Sequence, residues 1–550
     1  MKAMASAGLE RGRRQERVYA VVVFLCVAIP WLNPVAPGPS PAFWPWILSA
    51  LLATLLWAAS RPAGLHAGVA TGLAALAACI VVSANAAPDA LAAAAACLVT
   101  LLCAKSAASL QRDEVRYVFG AWAAAALLSC AIAACQYFGL AHFLDPLVNA
   151  SSVGQAFANL RQRNQFASLT ALAMAALLFW PGSRPKPAGA VLAMCVLAAG
   201  NSMSASRTGL FELVMLAVLA ACWGGAGRRH RLVLCLAAGL AYAAAAVLLP
   251  MALAAATGVT APNVWGRIAA ADSCSSRTVL WDNVVDLIAL KPWTGWGWGA
   301  LDQAHYATLY PGERFCDILD NAHNLPLHLA VELGIPATLL LCGLFAWMVL
   351  KAAPWRETDT LRQAAWAALA VIGLHSMLEY PLWYGPFQMA FGLCLGILWG
   401  RCRDSAGAVT ARLQPVLAAG IVGVIGHVVW DYQRVSQVYL PEQSRRAAYR
   451  DGTLDKIRGS WLFRDQVRFA EIGTTALTPA NAQWTFDSAS ALLLFSPEPR
   501  IVEKLLDSAL VLGRHDDLLA HAARFRAAYP VEYAQWIARN TGVAAPAPMP

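Results

Sequence analysis

Apolar runs long enough to cross a bilayer recur along most of the chain, and the polar positions between them are sorted by side. A transmembrane helix needs about 20 predominantly apolar residues to cross a core of roughly 30 Å. Runs of that kind fall at approximately 18–34, 42–59, 66–85, 88–105, 116–138, 165–181, 187–203, 206–223, 231–255, 326–350, 361–379, 384–400 and 412–431. This pattern predicts an all-α, polytopic transmembrane helical bundle of about thirteen spans; weak Ala-rich runs leave about twelve or fourteen open. With a cytoplasmic N-terminus, the inside loops hold Arg61, Lys105, Arg112, Arg116, Arg184, Lys186, Arg228, Arg229, Arg231, Lys351, Arg356, Arg362, Arg401, Arg403 and Arg412. The short outside loops 35–41, 86–89 and 380–383 hold no basic residue. Positive charge concentrates on the cytoplasmic side of such proteins. The outside exceptions are Arg161, Arg163 and Arg207, which invite a functional explanation.

An odd span count puts the tail outside. Two domains are expected: a transmembrane domain over 1–431, with a large outer loop at about 256–325, and a tail over 432–550. The tail carries apolar residues at helical spacing (Ile501, Leu505, Leu506, Leu510; Leu518, Leu519, Ala522), separated by Gly513 to Asp516 and by Tyr529-Pro530. That periodicity predicts a small all-helical, tetratricopeptide-like domain. The Ala-Pro-Ala-Pro-Met-Pro end is expected to be disordered.

Composition agrees with the membrane class: 59% hydrophobic, 13% charged, mean hydropathy +0.52, against about 25% charged in soluble domains. The net charge of +9 sits in short inside loops and orients the chain, so nucleic acid is not an expected partner. The basic stretch from Lys2 to Arg17 precedes an apolar segment without a small-x-small cleavage site, which favours an uncleaved first span. Most of the fourteen cysteines lie in apolar runs, where they act as small apolar residues. Cys274 and Cys316 differ, because both lie in the outer loop; an oxidising compartment would let them pair, and two free thiols are the alternative. No CxxC or His/Cys metal spacing occurs.

The outside polar clusters carry the chemistry. Gln162, Asn164 and Gln165 end one outer loop, as a sugar or phosphate contact or as a simple cap of the next span. Ser206-Arg207 opens another span, where helix N–H groups and a guanidinium suit an anion; pairing of Arg207 with Glu212 is the structural alternative. In the long loop, a helix capped by Ser275 or Ser276 and stopped at Lys291-Pro292 puts Arg277 in its first turn. The helix dipole disfavours a cation there, and a bound anion would remove the conflict. Pro292 to Gly299 interleaves three Trp with three Gly, as interfacial anchors or as a stacking surface. His323-Asn324 closes the loop, with a histidine suited to proton transfer, and Glu332 lies deeper on the following span. His375, Glu379, Tyr380, Trp383 and Tyr384 form a short turn, either a tight hairpin or the rim of a cleft.

Together these motifs resemble the O-antigen ligase and O-antigen polymerase superfamily. His375 to Tyr384 and the helical tail resemble more particularly the bacterial protein O-oligosaccharyltransferases (PglL-type). Arg161 and Gln165 stand where the family pattern has a glycine and a histidine. The resemblance implies a GT-C-like fold and an inverting, metal-independent glycosyltransferase without cofactor in the bacterial inner membrane. The donor would be an undecaprenyl-diphosphate oligosaccharide, and the acceptor a Ser or Thr hydroxyl of a periplasmic protein such as a pilin. It maps His323 to the acceptor hydroxyl as the catalytic residue and Arg207 and Arg277 to the diphosphate. Gln162, Asn164, Gln165, Asn324, Glu332, His375, Glu379, Tyr380, Trp383 and Tyr384 fall to substrate binding. The active site and C-terminus would both be periplasmic.

Within that family, ligation to a lipid A-core or polymerisation of repeat units are the alternatives, and the helical tail favours a protein acceptor. A lipid-linked glycan transporter would keep ionisable groups near the midplane, whereas here they crowd one edge.

Overall fold

A computed structural model describes residues 2–33, 39–40, 42–180, 187–225, 227–261, 274–401 and 408–541. The inside-loop residues Arg184, Lys186 and Arg403, most of the 35–41 loop, positions 262–273 of the outer loop and the Ala-Pro-rich end lie outside the described residues.

The described chain is predominantly helical. In order it forms α1 (Lys2–Leu32), α2 (Phe43–Ala59), α3 (Ala67–Ser83), α4 (Ala87–Ala108), α5 (Val115–Tyr137), α6 (Arg163–Leu178), α7 (Pro187–Met203), α8 (Arg207–Cys222), α9 (Arg228–Thr257), α10 (Arg277–Leu290) and α11 (Leu301–Ala307). There follow α12 (Leu325–Leu333), α13 (Ile335–Ala352), α14 (Thr360–Ser376), α15 (Gly385–Trp399), α16 (Ala408–Val435), α17 (Thr453–Ile457), α18 (Arg464–Thr474), α19 (Ala482–Leu492), α20 (Pro499–Leu512), α21 (His515–Ala528) and α22 (Pro530–Thr541). The one described sheet is a two-residue antiparallel pairing of Gly64–Leu65 with Gly400–Arg401.

Five described helices are long and apolar enough to cross a membrane: Ala87–Ala108, Val115–Tyr137, Arg228–Thr257, Ile335–Arg356 and Arg412–Tyr439. Four more, Phe43–Ala59, Ala67–Ser83, Pro187–Met203 and Gly385–Trp399, are apolar but shorter. The chain is therefore an all-α membrane protein, and the count of about thirteen spans depends on helices below the usual length of about 20 residues.

The chain divides into two compact units. The first comprises residues 1–75, 95–271 and 344–425. Its centre is α6, in which every residue from Gln165 to Ala176 is buried. A helix that is enclosed all round needs small residues for neighbouring backbones to approach, and α6 is rich in Ala. At the α7–α8 contact the demand is strict: a Cβ on Gly209 would lie 2.5 Å from Asn201 Oδ1 and 2.6 Å from Ala167 Cβ.

The second unit comprises 76–94, 272–343 and 426–550. Residues 272–343 of the outer loop region and the tail thus fall in one compact unit. Tyr306 of α11 belongs to the apolar core of the tail, with Phe469, Ile501, Leu505, Phe525 and Trp536. Arg524 Nε donates to the carbonyl of Ala307 at 3.1 Å. The tail helices bury their apolar stripes in this core, which is how the 3.6-residue periodicity is satisfied.

One expected span differs. The run 326–350 is two helices, α12 and α13, broken at Gly334 with φ +85°. A Cβ there would sit 2.4 Å from the carbonyl oxygen of Trp293, and Ile335 N–H donates to Pro292 O at 2.8 Å. The Trp/Gly segment is hydrogen-bonded into the break.

Candidate functional site

In the first unit, three segments meet through side chains. Ser206 caps α8 by accepting from Gly209 N–H at 3.0 Å, and its hydroxyl donates to Asn164 Oδ1 at 2.6 Å. Asn164 Nδ2 in turn donates to Glu379 Oε1 at 3.0 Å. The sequence-expected residues Asn164, Ser206 and Glu379 are therefore one connected network, with Arg207 exposed beside it as the first residue of α8. Gln162 caps α6 through Gln165 N–H at 2.7 Å, so its oxygen is already used; Gln165 is buried and its Nε2 meets no partner among the described residues. Beyond Glu379, Tyr380 stacks on Tyr384 with ring centroids 5.8 Å apart, and Trp383 meets Tyr380 edge-on at 6.4 Å. Trp383 is 36% exposed, so this aromatic cluster presents a face suited to stacking on a sugar or an isoprenoid.

Below this layer lies a second one, joined through Ser168, a residue that the sequence reading missed. The Ser168 hydroxyl donates to Glu212 Oε1 and lies 2.7 Å from His375 Nδ1. Glu212 therefore meets Ser168, and the expected alternative of a Glu212–Arg207 pair is replaced. A serine within an apolar run carries no sequence signal that would separate it from packing.

In the second unit the candidate residues are held by backbone. Ser276 caps α10 through Val279 N–H at 3.3 Å, which leaves Arg277 as its first helical residue, partly exposed. His323 adopts φ +50°, a left-handed conformation that costs a non-glycine residue about 1 kcal/mol or more. Its N–H donates to Asn321 Oδ1 at 2.9 Å, and Asn324 caps α12 through Leu327 N–H at 3.1 Å. Trp281 Nε1, one turn along α10 from Arg277, donates to Ala322 O at 3.1 Å. The helix that bears Arg277 is thereby tied to the turn that bears His323. Asn283 holds the preceding strand of loop, accepting from Phe315 N–H and donating to Glu313 O, both at 2.8 Å. Cys274 and Cys316 form a disulfide with Cα atoms 5.5 Å apart.

The Trp/Gly segment is largely architectural. Trp296 N–H donates to Val331 O, Gly297 N–H to Glu332 O, and Trp296 Nε1 to Leu287 O. A Cβ on Gly295 would lie 2.4 Å from the Glu332 backbone. The Glu332 carboxylate is buried 3.3 Å from Nε2 of His328, another buried residue the sequence reading passed over although it sits one turn earlier on the same face. Trp298 packs edge-on to that histidine at 5.8 Å. Trp293, by contrast, is 76% exposed.

A common feature runs through these placements. Gln162, Ser206, Ser276 and Asn324 each cap a helix with a side chain, and an arginine follows three of them as the first helical residue. Helix N-termini carry partial positive charge from free N–H groups. Adding a guanidinium there is unfavourable unless an anion is held, and planar Arg groups fit phosphate oxygens.

Comparison with known proteins gives three family matches. A protein glycosylation ligase profile covers residues 156–180, an O-antigen ligase profile covers 188–342, and the C-terminal part of a membrane-bound polymerase described as a virulence factor covers 363–541. A general O-oligosaccharyltransferase of Acinetobacter baylyi is 28% identical over 151 residues. The three matches fall in chain order, and with the Acinetobacter protein they make the chain similar to the PglL-type members of the O-antigen ligase superfamily. The aligned stretch is 27% of this chain and 25% of the Acinetobacter protein. The glycosylation-ligase match includes Asn164 and Ser168, and the O-antigen ligase match includes Ser206, Arg207, Arg277 and His323.

Proposed function

We propose that this protein transfers an oligosaccharide en bloc from undecaprenyl diphosphate to Ser or Thr hydroxyls of periplasmic proteins, pilins among them. The reaction is an inverting, metal-independent glycosyl transfer. The acceptor oxygen attacks the anomeric carbon from the face opposite the leaving group. The bond from that carbon to the phosphate oxygen breaks, and the electron pair leaves with the lipid diphosphate. Arg207 and Arg277 neutralise the charge that grows on the diphosphate, the type of preorganised stabilisation that contributes most to such reactions. His323 takes the proton of the attacking hydroxyl. Gln162, Asn164, Gln165, Asn324, Glu332, His375 and Glu379 line or support the sugar and acceptor sites, and Tyr380, Trp383 and Tyr384 stack on sugar or isoprenoid. The chain crosses the bacterial inner membrane with about thirteen spans, its N-terminus cytoplasmic and its site and helical tail periplasmic.

The observation that carries this reading is the Asn164–Ser206–Glu379 network. It joins three separate polar motifs, one of them inside the protein glycosylation ligase match. The test is glycosylation of a pilin by the purified protein with lipid-linked oligosaccharide, with and without chelator, followed by intact mass. Transfer to the pilin in both conditions is the expected result. Transfer to lipid A-core instead, with none to protein, would replace this reading by the O-antigen ligase one.

A further inference from the structure

Glu212 has no place in the reaction just described, yet it is a carboxyl group at 0% exposure. Its Oε1 accepts from Ser168, and its Oε2 meets no partner among the described residues. Ser168 Oγ lies equally within reach of His375 Nδ1, on a ring that is 1% exposed and set edge-on to Phe387 at 5.4 Å. A hydroxyl with a single proton thus sits between two groups that can each hold or release one.

Two proton arrangements fit the same heavy atoms. In the first, Glu212 is a carboxylate that accepts a hydrogen bond from the Ser168 hydroxyl, and His375 is a cation that donates from Nδ1 to Ser168 Oγ. In the second, Glu212 is a carboxylic acid that donates to Oγ, and Ser168 donates to a bare Nδ1. Going from the second to the first moves one proton from Glu212 to Oγ and another from Oγ to Nδ1. No heavy-atom bond changes, and the total charge of the three groups is conserved.

The same chain segments supply both polar layers. Ser168 follows Asn164 by one turn of α6, and Glu212 lies on the helix that Ser206 caps. His375 precedes Glu379 by one turn, and Glu379 N–H donates to His375 O at 2.8 Å. Glu379 acts electrostatically on His375, and Glu212 accepts from Ser168.

We propose that Glu212, Ser168 and His375 are positioning residues, a buried proton relay that sets whether His375 is neutral or a cation and with it the charge and placement of Glu379 in the layer above. The proposal rests on the transferase reading. Its test is steady-state transfer by the purified protein and its Ser168→Ala, Ser168→Thr, Glu212→Gln and Ser168→Ala/Glu212→Gln variants, with infrared spectra of each. Ser168→Ala and Glu212→Gln are each expected to lower kcat about 10- to 100-fold with both KM values within about twofold, near the lower range for acid–base effects. Ser168→Thr, which keeps the hydroxyl, is expected to recover kcat to within about threefold, and the double variant to be no worse than either single one. A carboxylic C=O band is expected in the wild type, absent from Glu212→Gln and shifted in Ser168→Ala. Equal loss in the Thr and Ala variants, additive losses in the double variant, wild-type kcat in Ser168→Ala, or no such band would each overturn the relay. Failure of the wild type to transfer glycan strikes the proposed function instead, and the infrared band then still decides whether Glu212 holds a proton.

Discussion

The two units hold their candidate residues in different ways. In the first, Ser206, Asn164 and Glu379 are bonded side chain to side chain, so each is oriented by another polar group. In the second, side chains hold the backbone around His323: Asn321 accepts from His323 N–H, Trp281 donates to Ala322 O, and Asn283 bonds to residues 313 and 315. A network of side chains is cooperative, and loss of one member disturbs the rest. A backbone-pinned turn is modular, because it fixes the path of the chain independently of any one side chain. The first arrangement suits recognition of a polar substrate with a set pattern of hydroxyls. The second suits display of one imidazole at a strained position, with φ +50°.

The sharpest way to break this contrast is to remove the groups assigned to chemistry. His323→Ala is expected to lower kcat about 100- to 10,000-fold, and Arg207→Ala or Arg277→Ala about 100-fold or more, measured as glycan transfer per purified molecule. Near-normal turnover in both arginine variants would reject the diphosphate role. Asn321→Ala tests the backbone-pinned turn alone. It removes the acceptor for His323 N–H and leaves the imidazole present, so kcat is expected to fall about tenfold, with a stability loss of about 1 kcal/mol.

Next in size is the disulfide. It closes a sequence separation of 42 residues between the start of α10 and the segment that leads to His323. The loop-closure argument assigns it about 4 kcal/mol. Cys274→Ser/Cys316→Ser is therefore expected to melt well below the wild type in detergent, and reductant is expected to lower the wild-type transition towards that of the variant while leaving the variant unchanged. Identical melting of both proteins would mean that Asn283 and Trp281 suffice to hold the loop.

These contrasts also explain what was legible in the sequence. Caps were legible where a polar residue before an apolar run has a local reason to be there; Gln162 and Ser276 act as such, while the caps at Ser206 and Asn324 were not read from the sequence. The helical tail was legible through its 3.6-residue stripe. The break at Gly334 was signalled locally by Gly334 followed by Pro336, a helix-stop pattern, but uninterrupted hydropathy outweighed it. Ser168 and His328 were not singled out, since their partners are defined by packing between helices or by a buried face. The union of loop and tail through Tyr306 joins residues farther apart in sequence than the tail is long, and no local periodicity reports it.

The smallest expected effect concerns that union. Asp302 and His305 share α11, beside Tyr529 of the tail. Burial pushes the Asp302 carboxyl up to about 8 and the His305 imidazole down to about 3. A carboxyl raised in the folded state is protonated there while the unfolded chain has already released its proton, so its contribution falls as pH rises from about 4 to about 8. A histidine lowered in the folded state stays neutral while the unfolded chain gains a proton, so its contribution falls as pH drops from about 6.5 to about 3. Between about 4 and 6.5 the two slopes oppose each other, and above about 6.5 the Asp302 slope acts alone. The loop–tail unit is therefore expected to melt progressively earlier from about pH 6.5 to 8, and Asp302→Asn is expected to remove that decline while changing little at about pH 5. A wild-type melting curve that is flat across this range, or one whose decline survives in Asp302→Asn, would show that α11 takes up solvent enough to ionise Asp302 without loss of packing. The contact between loop and tail would then be looser than the side-chain network of the first unit.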